Sequence, residues 1–341
     1  MEIREIIEKI AEEKKNAGGI KSVVWLAAGG SNGGNYPAQY FMDREAKKIR
    51  SQMFTSNEFV YATPKFVNEN SVAIIVSMRG TPETCVAAQV AKDHGASTIG
   101  LYVEESDLTE ICDYKVHYDS IMFDESDQSQ TNAALGVRIA MDIVDVMEGY
   151  ENYDDAMAAF DILDEVYNDA KEYCLPLAEK WAETNKNEHI ISVLASGPAY
   201  AAGYIFSICN IMEMLQIQSP TINSCEFFHG PFEVVDKDGS FFLLVSEGRT
   251  RKADERAIKF LKEYGGDKVY ILDAKELGIN RFKDSVCEYF NHMLFAPILN
   301  NAYMKKLSAH KNGLFDTSVY VESGILARSG TMGPGDLIFR P

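Results

Sequence analysis

Val23-Val24-Trp25-Leu26-Ala27-Ala28-Gly29-Gly30-Ser31-Asn32-Gly33-Gly34 reads as a short apolar β-strand running into a glycine-rich loop, with a helical stretch beyond it. The same order then recurs. Val72 to Val76 is an apolar, β-branched run, Ser77 to Thr84 is rich in hydroxyls, and CVAAQVAKDHG follows as a helix that stops at Gly95. Thr98 to Tyr102 is the next strand. Alternation of this kind predicts an α/β chain with parallel sheets flanked by helices.

The second half repeats the pattern. Ile190 to Leu194 lead into ASGPAYAAG and a helix; Phe241 to Val245 precede EGRTRKADERAIKFLKEYGG, a helix with a glycine stop; Lys268 to Leu272 form the next strand. Self-comparison sharpens the repeat. Leu26 and Leu194 are 168 residues apart, as are Tyr36 and Tyr204, Glu45 and Glu213, and Ser56 and Ser224. Glu58-Phe59 matches Glu226-Phe227 at that offset, and one residue of drift aligns Val76-Ser77 with Val245-Ser246. The chain therefore divides into a first domain at 1–150, a helical connector at 151–187 rich in Asp, Glu, Ala and Tyr, a second domain at 188–308 and a tail at 309–341.

Composition narrows the function. The 341 residues are 46% hydrophobic and carry a formal charge of −18, so a phosphate backbone or an anionic membrane meets a repulsive field. No stretch approaches the roughly 18 apolar residues of a spanning helix. The N-terminal stretch MEIREIIEKIAEEKK is amphipathic, with Ile3, Ile6, Ile7 and Ile10 on one face, and lacks the apolar run of a secretory signal. The six cysteines show no C-x-x-C spacing, which predicts reduced, mostly buried thiols in a cytoplasmic protein.

Three segments carry candidate chemistry. AAGGSNGG fails the dinucleotide fingerprint and the P-loop, yet Gly30 and Ser31 stand where a strand meets a helix, which suits an anion as well as a purely steric turn. In Ser77-Met78-Arg79-Gly80-Thr81-Pro82-Glu83-Thr84, Thr81 and Pro82 predict a helix start. Ser77, Thr81 and Thr84 supply hydroxyls there, and Arg79 adds a positive charge. Two such loops from neighbouring strands would converge on one phosphate. In Cys225-Glu226-Phe227-Phe228-His229-Gly230-Pro231-Phe232-Glu233, a histidine beside carboxylates fits acid–base work near neutral pH. Upstream, Glu213 lies among Ile211, Met212, Met214 and Leu215, where partial burial would raise its pKa and suit it to be a base; a surface glutamate on an amphipathic helix is the plainer reading.

The two-domain repeat, SMRGTPET and EFFHGPFE together resemble the sugar isomerase (SIS) family, over roughly residues 20 to 305, and most closely its fructosamine-6-phosphate deglycases. The likeness is strongest over VLASGPAYAAGYIFSICNIMEM, CEFFHGPFE, SEGRTRKADERAIKFLKEYG and YFNHMLF. It implies two tandem doubly wound domains, with Glu213 and His229 catalytic and His229 reaching the site from a neighbouring subunit of a homodimer or higher assembly. The substrate it implies is a phosphorylated sugar-amine; the strand-to-helix segments offer Gly30, Ser31, Ser77, Arg79, Thr81 and Thr84 to hold it, with Glu226 alongside, and one base with one acid calls for no metal or other cofactor. The hydroxyl-rich loop is one residue shorter than the family pattern, and the tail lacks the family's His-Pro-Leu and Arg-Arg-Tyr, so His310 and Lys311 receive no role.

The expected reaction is cleavage of a 6-phosphorylated Amadori compound to glucose 6-phosphate and a free amine. An aldose–ketose isomerase or amino-sugar-phosphate deaminase would use the same two groups. A non-catalytic sugar-phosphate sensor would keep the phosphate loops and lose Glu213 or His229. The sequence leaves the amine half of the substrate open.

Overall fold

Strands β1 (Ser22–Ala27), β2 (Arg50–Thr55), β3 (Ser71–Val76), β4 (Ser97–Tyr102) and β5 (Tyr114–His117) form one parallel sheet in the order β2-β1-β3-β4-β5. The structure, a computed structural model, describes residues 2–122 and 125–311, so the expected tail beyond Lys311 lies outside the described residues. β1 and β3 are buried at every position, as apolar runs without alternation predict for central parallel strands. A second parallel sheet follows, in the order β7-β6-β8-β9, from β6 (Ile191–Ala195), β7 (Thr221–Asn223), β8 (Ser240–Val245) and β9 (Val269–Asp273).

The repeat is real in three dimensions. β1 and β6, and β2 and β7, correspond at the offset of 168 residues, and both sheets place the later strands on the far side of the first. α1 (Ile3–Lys14) buries Ile3, Ile6, Ile7 and Ile10, as its periodicity predicts. The helices of the first sheet are α2 (Gly29–Glu45), α3 (Ser56–Tyr61), α4 (Pro82–Asp93), α5 (Asp107–Ile111) and α6 (Asn132–Glu148). α7 (Tyr153–Asn185) is a single helix of 33 residues, about 50 Å long at 1.5 Å per residue, and contains Pro176. It buries Trp181 against Phe206, Phe242 and Tyr303, with ring centroids 5.3–5.9 Å away. In the second half, α8 (Tyr200–Ile205) runs directly into a π-helical segment, Phe206–Met214. α9 (Arg251–Tyr264) follows β8; α10 (Asn291–Ile298) runs into a second π-helical segment, Leu299–Met304, and then α11 (Lys305–His310).

One expectation is corrected. Gly29 to Gly34 are not a loop; they are the first turns of α2, with extended Ala28 before them. Close packing is the reason. A Cβ on Gly33 would lie 2.5 Å from Ile205 Cγ1, and one on Gly34 would lie 2.2 Å from Asn132 Nδ2. Each glycine costs the helix about 1 kcal/mol of propensity. In return α2 presses directly on α8 and on the start of α6, and so joins the halves. The join continues as Tyr40 Oη donates to Glu288 Oε1 at 2.6 Å and Arg249 pairs with Glu45 at 2.9 Å.

All six cysteines are free; Cys85, Cys112, Cys174 and Cys287 are buried, Cys209 is half-buried and Cys225 is exposed. Among the described residues, no helix is long and apolar enough to cross a membrane.

Candidate active site

In the first sheet the chain winds to one side from β1 to β2 and to the other from β1 to β3. A crevice opens outside the carboxyl ends of β1 and β3, where open α/β sheets take their ligands. A chamber of about 210 Å³ lies there, walled by Ala28 and Ser31 after β1 and by Ser77, Arg79, Thr81 and Thr84 after β3.

Local structure sets these groups. Thr81 is extended and Pro82 opens α4, as the sequence predicts. The Thr81 N–H donates to Ser77 Oγ at 3.1 Å, which fixes the loop while leaving the Ser77 hydroxyl proton to donate. Thr84 differs from expectation. It is buried, accepts from Thr81 Oγ1 at 2.9 Å and lies 2.9 Å from Ser56 Oγ, so it braces the loop from behind. Arg79 also differs: it is exposed and bonded to Glu104 at 2.9 Å, so its charge is already partly met.

Ala28, Ser31 and Met78 also wall a second, larger chamber of about 290 Å³, so the two adjoin. Its far wall comes from the second half of the chain and includes Cys209, Asn210 and Glu213. Glu213 stands on the π-helical segment. Its side chain is exposed in the single chain, less covered than its apolar neighbours in sequence predict, because Met212 is itself exposed. The chamber wall still removes enough water to raise its carboxyl pKa. Burial pushes the Cys209 thiol up to about 11, against a hydrogen bond from the Gly30 main chain that lowers it.

The chain does not bring His229 or Glu226 to either chamber. Both are exposed on the turns spanning 224–230. This arm is stiff: the His229 N–H donates to Glu226 O at 2.9 Å, and Gly230 takes φ +131°, which a side chain would resist. Phe228 packs on Phe227, Phe232 and Phe260, with ring centroids 5.0–5.9 Å apart, and Arg256 lies over the Phe228 ring at 3.9 Å.

Sequence reasoning missed several chamber residues. Tyr118, whose hydroxyl is pushed up to about 12 by burial, hydrogen-bonds Ser31. Asn210 and Asn300 bond each other at 3.0 Å. His292 is buried and held down to about 4 by desolvation, hence neutral, with a ring N–H on the Pro198 carbonyl. Tyr118 follows the short edge strand β5 and Asn300 lies in a helical stretch of ordinary composition, whereas Asn210 and His292 fall in segments that stood out in sequence, VLASGPAYAAGYIFSICNIMEM and YFNHMLF, without themselves being singled out.

The second sheet has the matching crevice between β6 and β8, and it is filled from within. Asp254, on α9, is buried and accepts the Ser246 N–H at 3.0 Å. The nearby Ser196 and Ser224 hydroxyls lower its pKa, yet burial outweighs them and pushes it up to about 6. Ser196 Oγ donates to Thr250 Oγ1 at 2.9 Å and Ser246 Oγ to the Ser196 carbonyl at 2.8 Å, so both of these hydroxyls are engaged.

No model of a protein family matches the chain. It is 35% identical over 295 residues to fructosamine deglycase FrlB of Bacillus subtilis (strain 168), covering 86% of this chain and 89% of that protein. It is 34% identical over 101 residues to fructoselysine 6-phosphate deglycase of Escherichia coli (strain K12), 30% of this chain and 27% of that one. A solved structure from Salmonella typhimurium LT2, described as a candidate phosphosugar isomerase, superposes with a TM-score of 0.86 at 38% identity, over 91% of this chain and 95% of that chain. The C-terminal domain of glucosamine-fructose-6-phosphate aminotransferase from Francisella tularensis shares the fold alone, with a TM-score of 0.72 at 14% identity, over 90% of this chain and 87% of that one. Two tandem parallel sheets on the sugar isomerase plan, with a relative this similar along nearly its whole length, place the chain in the fructosamine deglycase family.

Proposed function

We propose that this chain cleaves a 6-phosphorylated fructosamine, an Amadori compound, to glucose 6-phosphate and a free amine. The observation that carries the reading is the pair of adjoining chambers, one lined by hydroxyls at the β1/β3 crevice and the other by a carboxylate with raised pKa. The phosphate accepts from the Ser77 hydroxyl and from the Ser31 hydroxyl at the start of α2 beside Gly30, with Thr81 fixing the loop that presents Ser77. Asp254 already fills the equivalent crevice of the second sheet with negative charge, which favours the first.

The sugar then extends toward Glu213. The substrate has a ketone at C2 and an amine on C1. Glu213 removes a C1 proton, giving an enaminol. Reprotonation at C2 gives an imine at C1, and water cleaves the C–N bond, releasing aldehyde and amine. A carboxyl held above its ordinary range is a stronger base than a solvated one once ionised. His229 supplies the acid. Its exposed, stiff arm lies outside its own chain's chambers, so a second copy delivers it, in a cytoplasmic homodimer or larger assembly. Acid and base suffice for this hydrolytic route, without metal or redox cofactor.

The test is incubation with fructoselysine 6-phosphate, fructose-asparagine 6-phosphate, and fructose 6-phosphate plus ammonia, following glucose 6-phosphate. Release from either fructosamine supports the reading. Conversion of fructose 6-phosphate alone would favour the isomerase named for the Salmonella relative.

A further inference from the structure

We infer that Asn300 is a positioning residue for Glu213, acting through Asn210; the inference rests on the reading of Glu213 as the base. Among the described residues no side-chain hydrogen bond orients the Glu213 carboxyl, so its backbone must place it. That backbone is π-helical. The Leu215 N–H donates to Asn210 O at 3.1 Å, closing a wide turn around Glu213, and the Ile217 N–H donates to Ile211 O at 3.0 Å. A π turn packs its main chain less well than an α turn and needs support from outside.

Asn210 supplies that support. Its side chain is buried, and Nδ2 donates to Asn300 Oδ1 at 3.0 Å. Asn300 lies on the second π segment and is also buried. Its Nδ2 donates to Asn301 Oδ1 at 2.9 Å and to the Ile121 carbonyl at 3.3 Å, and Asn301 Nδ2 donates to Tyr167 Oη at 2.9 Å. The Ile121 carbonyl can only accept, which settles which end of the Asn300 amide faces it. A continuous amide chain thus runs from the turn bearing Glu213 to α7. Asn300 must accept on one side and donate on the other, which neither a carboxylate nor an alkyl side chain does. Asn210, Asn300 and Glu213 all line the larger chamber, so the chain ends at the place where the base must be held.

Asn300→Ala and Asn300→Asp are compared with wild type in glucose 6-phosphate release across pH, with inorganic phosphate affinity measured alongside. A loose base costs about 10–100-fold in kcat. Phosphate affinity stays unchanged, and the acid limb of kcat/KM moves to lower pH as the carboxyl swings into water. Asn210→Ala added to Asn300→Ala should cost little more, since both break one chain. An unchanged kcat and pH profile, or losses that multiply, would overturn the inference. If Asn300→Ala fails to fold, Asn300→Ser is read the same way. If wild type releases no glucose 6-phosphate from any substrate, the deglycase reading fails separately. The positioning is then read from the ¹³C carboxyl resonance of Glu213 in the full chain, assigned with Glu213→Gln. A titration midpoint lower in Asn300→Ala supports it, and an unmoved midpoint overturns it.

Discussion

The main-chain N–H of Ser246 donates to Asp254 Oδ2 at 3.0 Å, inside the crevice that corresponds to the one beside Ser77. The chain repeats one strand-to-helix crevice and fills the second copy with its own carboxyl.

Asp254 gives stability a definite pH dependence. Its folded pKa, about 6, lies above the ordinary aspartate value, so the folded state holds the proton more tightly than the unfolded state does. This stabilisation is fully present below about pH 4 and is lost as pH rises through 6, on the order of 3 kcal/mol in all. Asp254→Asn should flatten the dependence of Tm on pH between 4 and 6.5 relative to wild type. Parallel Tm profiles would show that the group does not titrate on folding as assigned.

Ser77→Ala and Ser31→Ala should weaken inorganic phosphate and glucose 6-phosphate alike, by about 1 kcal/mol or fivefold for each lost bond. With substrate, Ser77→Ala should mainly raise KM. Calorimetric titration checks both; a phosphate Kd unchanged in Ser77→Ala together with a weaker one in a Ser246 variant would move the site to the second sheet.

Glu213→Gln should lower kcat by about 10²–10⁴-fold while leaving phosphate binding intact. Because desolvation raises the Glu213 pKa, the acid limb of wild-type kcat/KM should sit above the range of a solvated glutamate. Near-full turnover in Glu213→Gln with loss in Glu226→Gln would transfer the base to Glu226.

Mixing tests the shared site. His229→Ala and Glu213→Gln should each be about 10²–10⁴-fold slower alone, and co-refolding the two should recover much of the activity, since mixed pairs hold one intact site. No recovery from verified mixed assemblies would place acid and base in the same chain.

Gly33→Ala should destabilise by about 1–3 kcal/mol through overpacking against Ile205. Gly136→Ala, whose Cβ would meet Ala38 Cβ at an ordinary 3.7 Å, should be neutral or stabilising. Denaturant midpoints compare them directly.

Much of the fold was legible because it rests on local pattern. The apolar runs at Val72–Val76 and Phe241–Val245 are most of β3 and of β8, and Thr81-Pro82 does open a helix. The repeat offset survives because α/β units keep strand–helix spacing. Gly29–Gly34 misled because glycine has two uses, turning a chain and letting two helices touch, and only the partner at Ile205 distinguishes them. The site was legible where chemistry crowds one segment, as in SMRGTPET. The asparagine chain was not, since Asn210, Asn300, Asn301 and Tyr167 come together only through packing between distant helices.

The contact of Gly33 with Ile205 bears on biosynthesis. These residues are 172 positions apart, and Tyr40 and Glu288 are farther still. A nascent chain emerges at about 5–20 residues per second, so the first sheet is out of the ribosome for on the order of ten seconds before its partner helix is complete. Throughout that interval α2 shows its glycine-lined face to solvent, and the larger chamber lacks its far wall while the hydroxyl-lined one has all of its walls. A translation product truncated before Phe206 would hold every residue that walls the hydroxyl-lined chamber and none of the turn that bears Glu213.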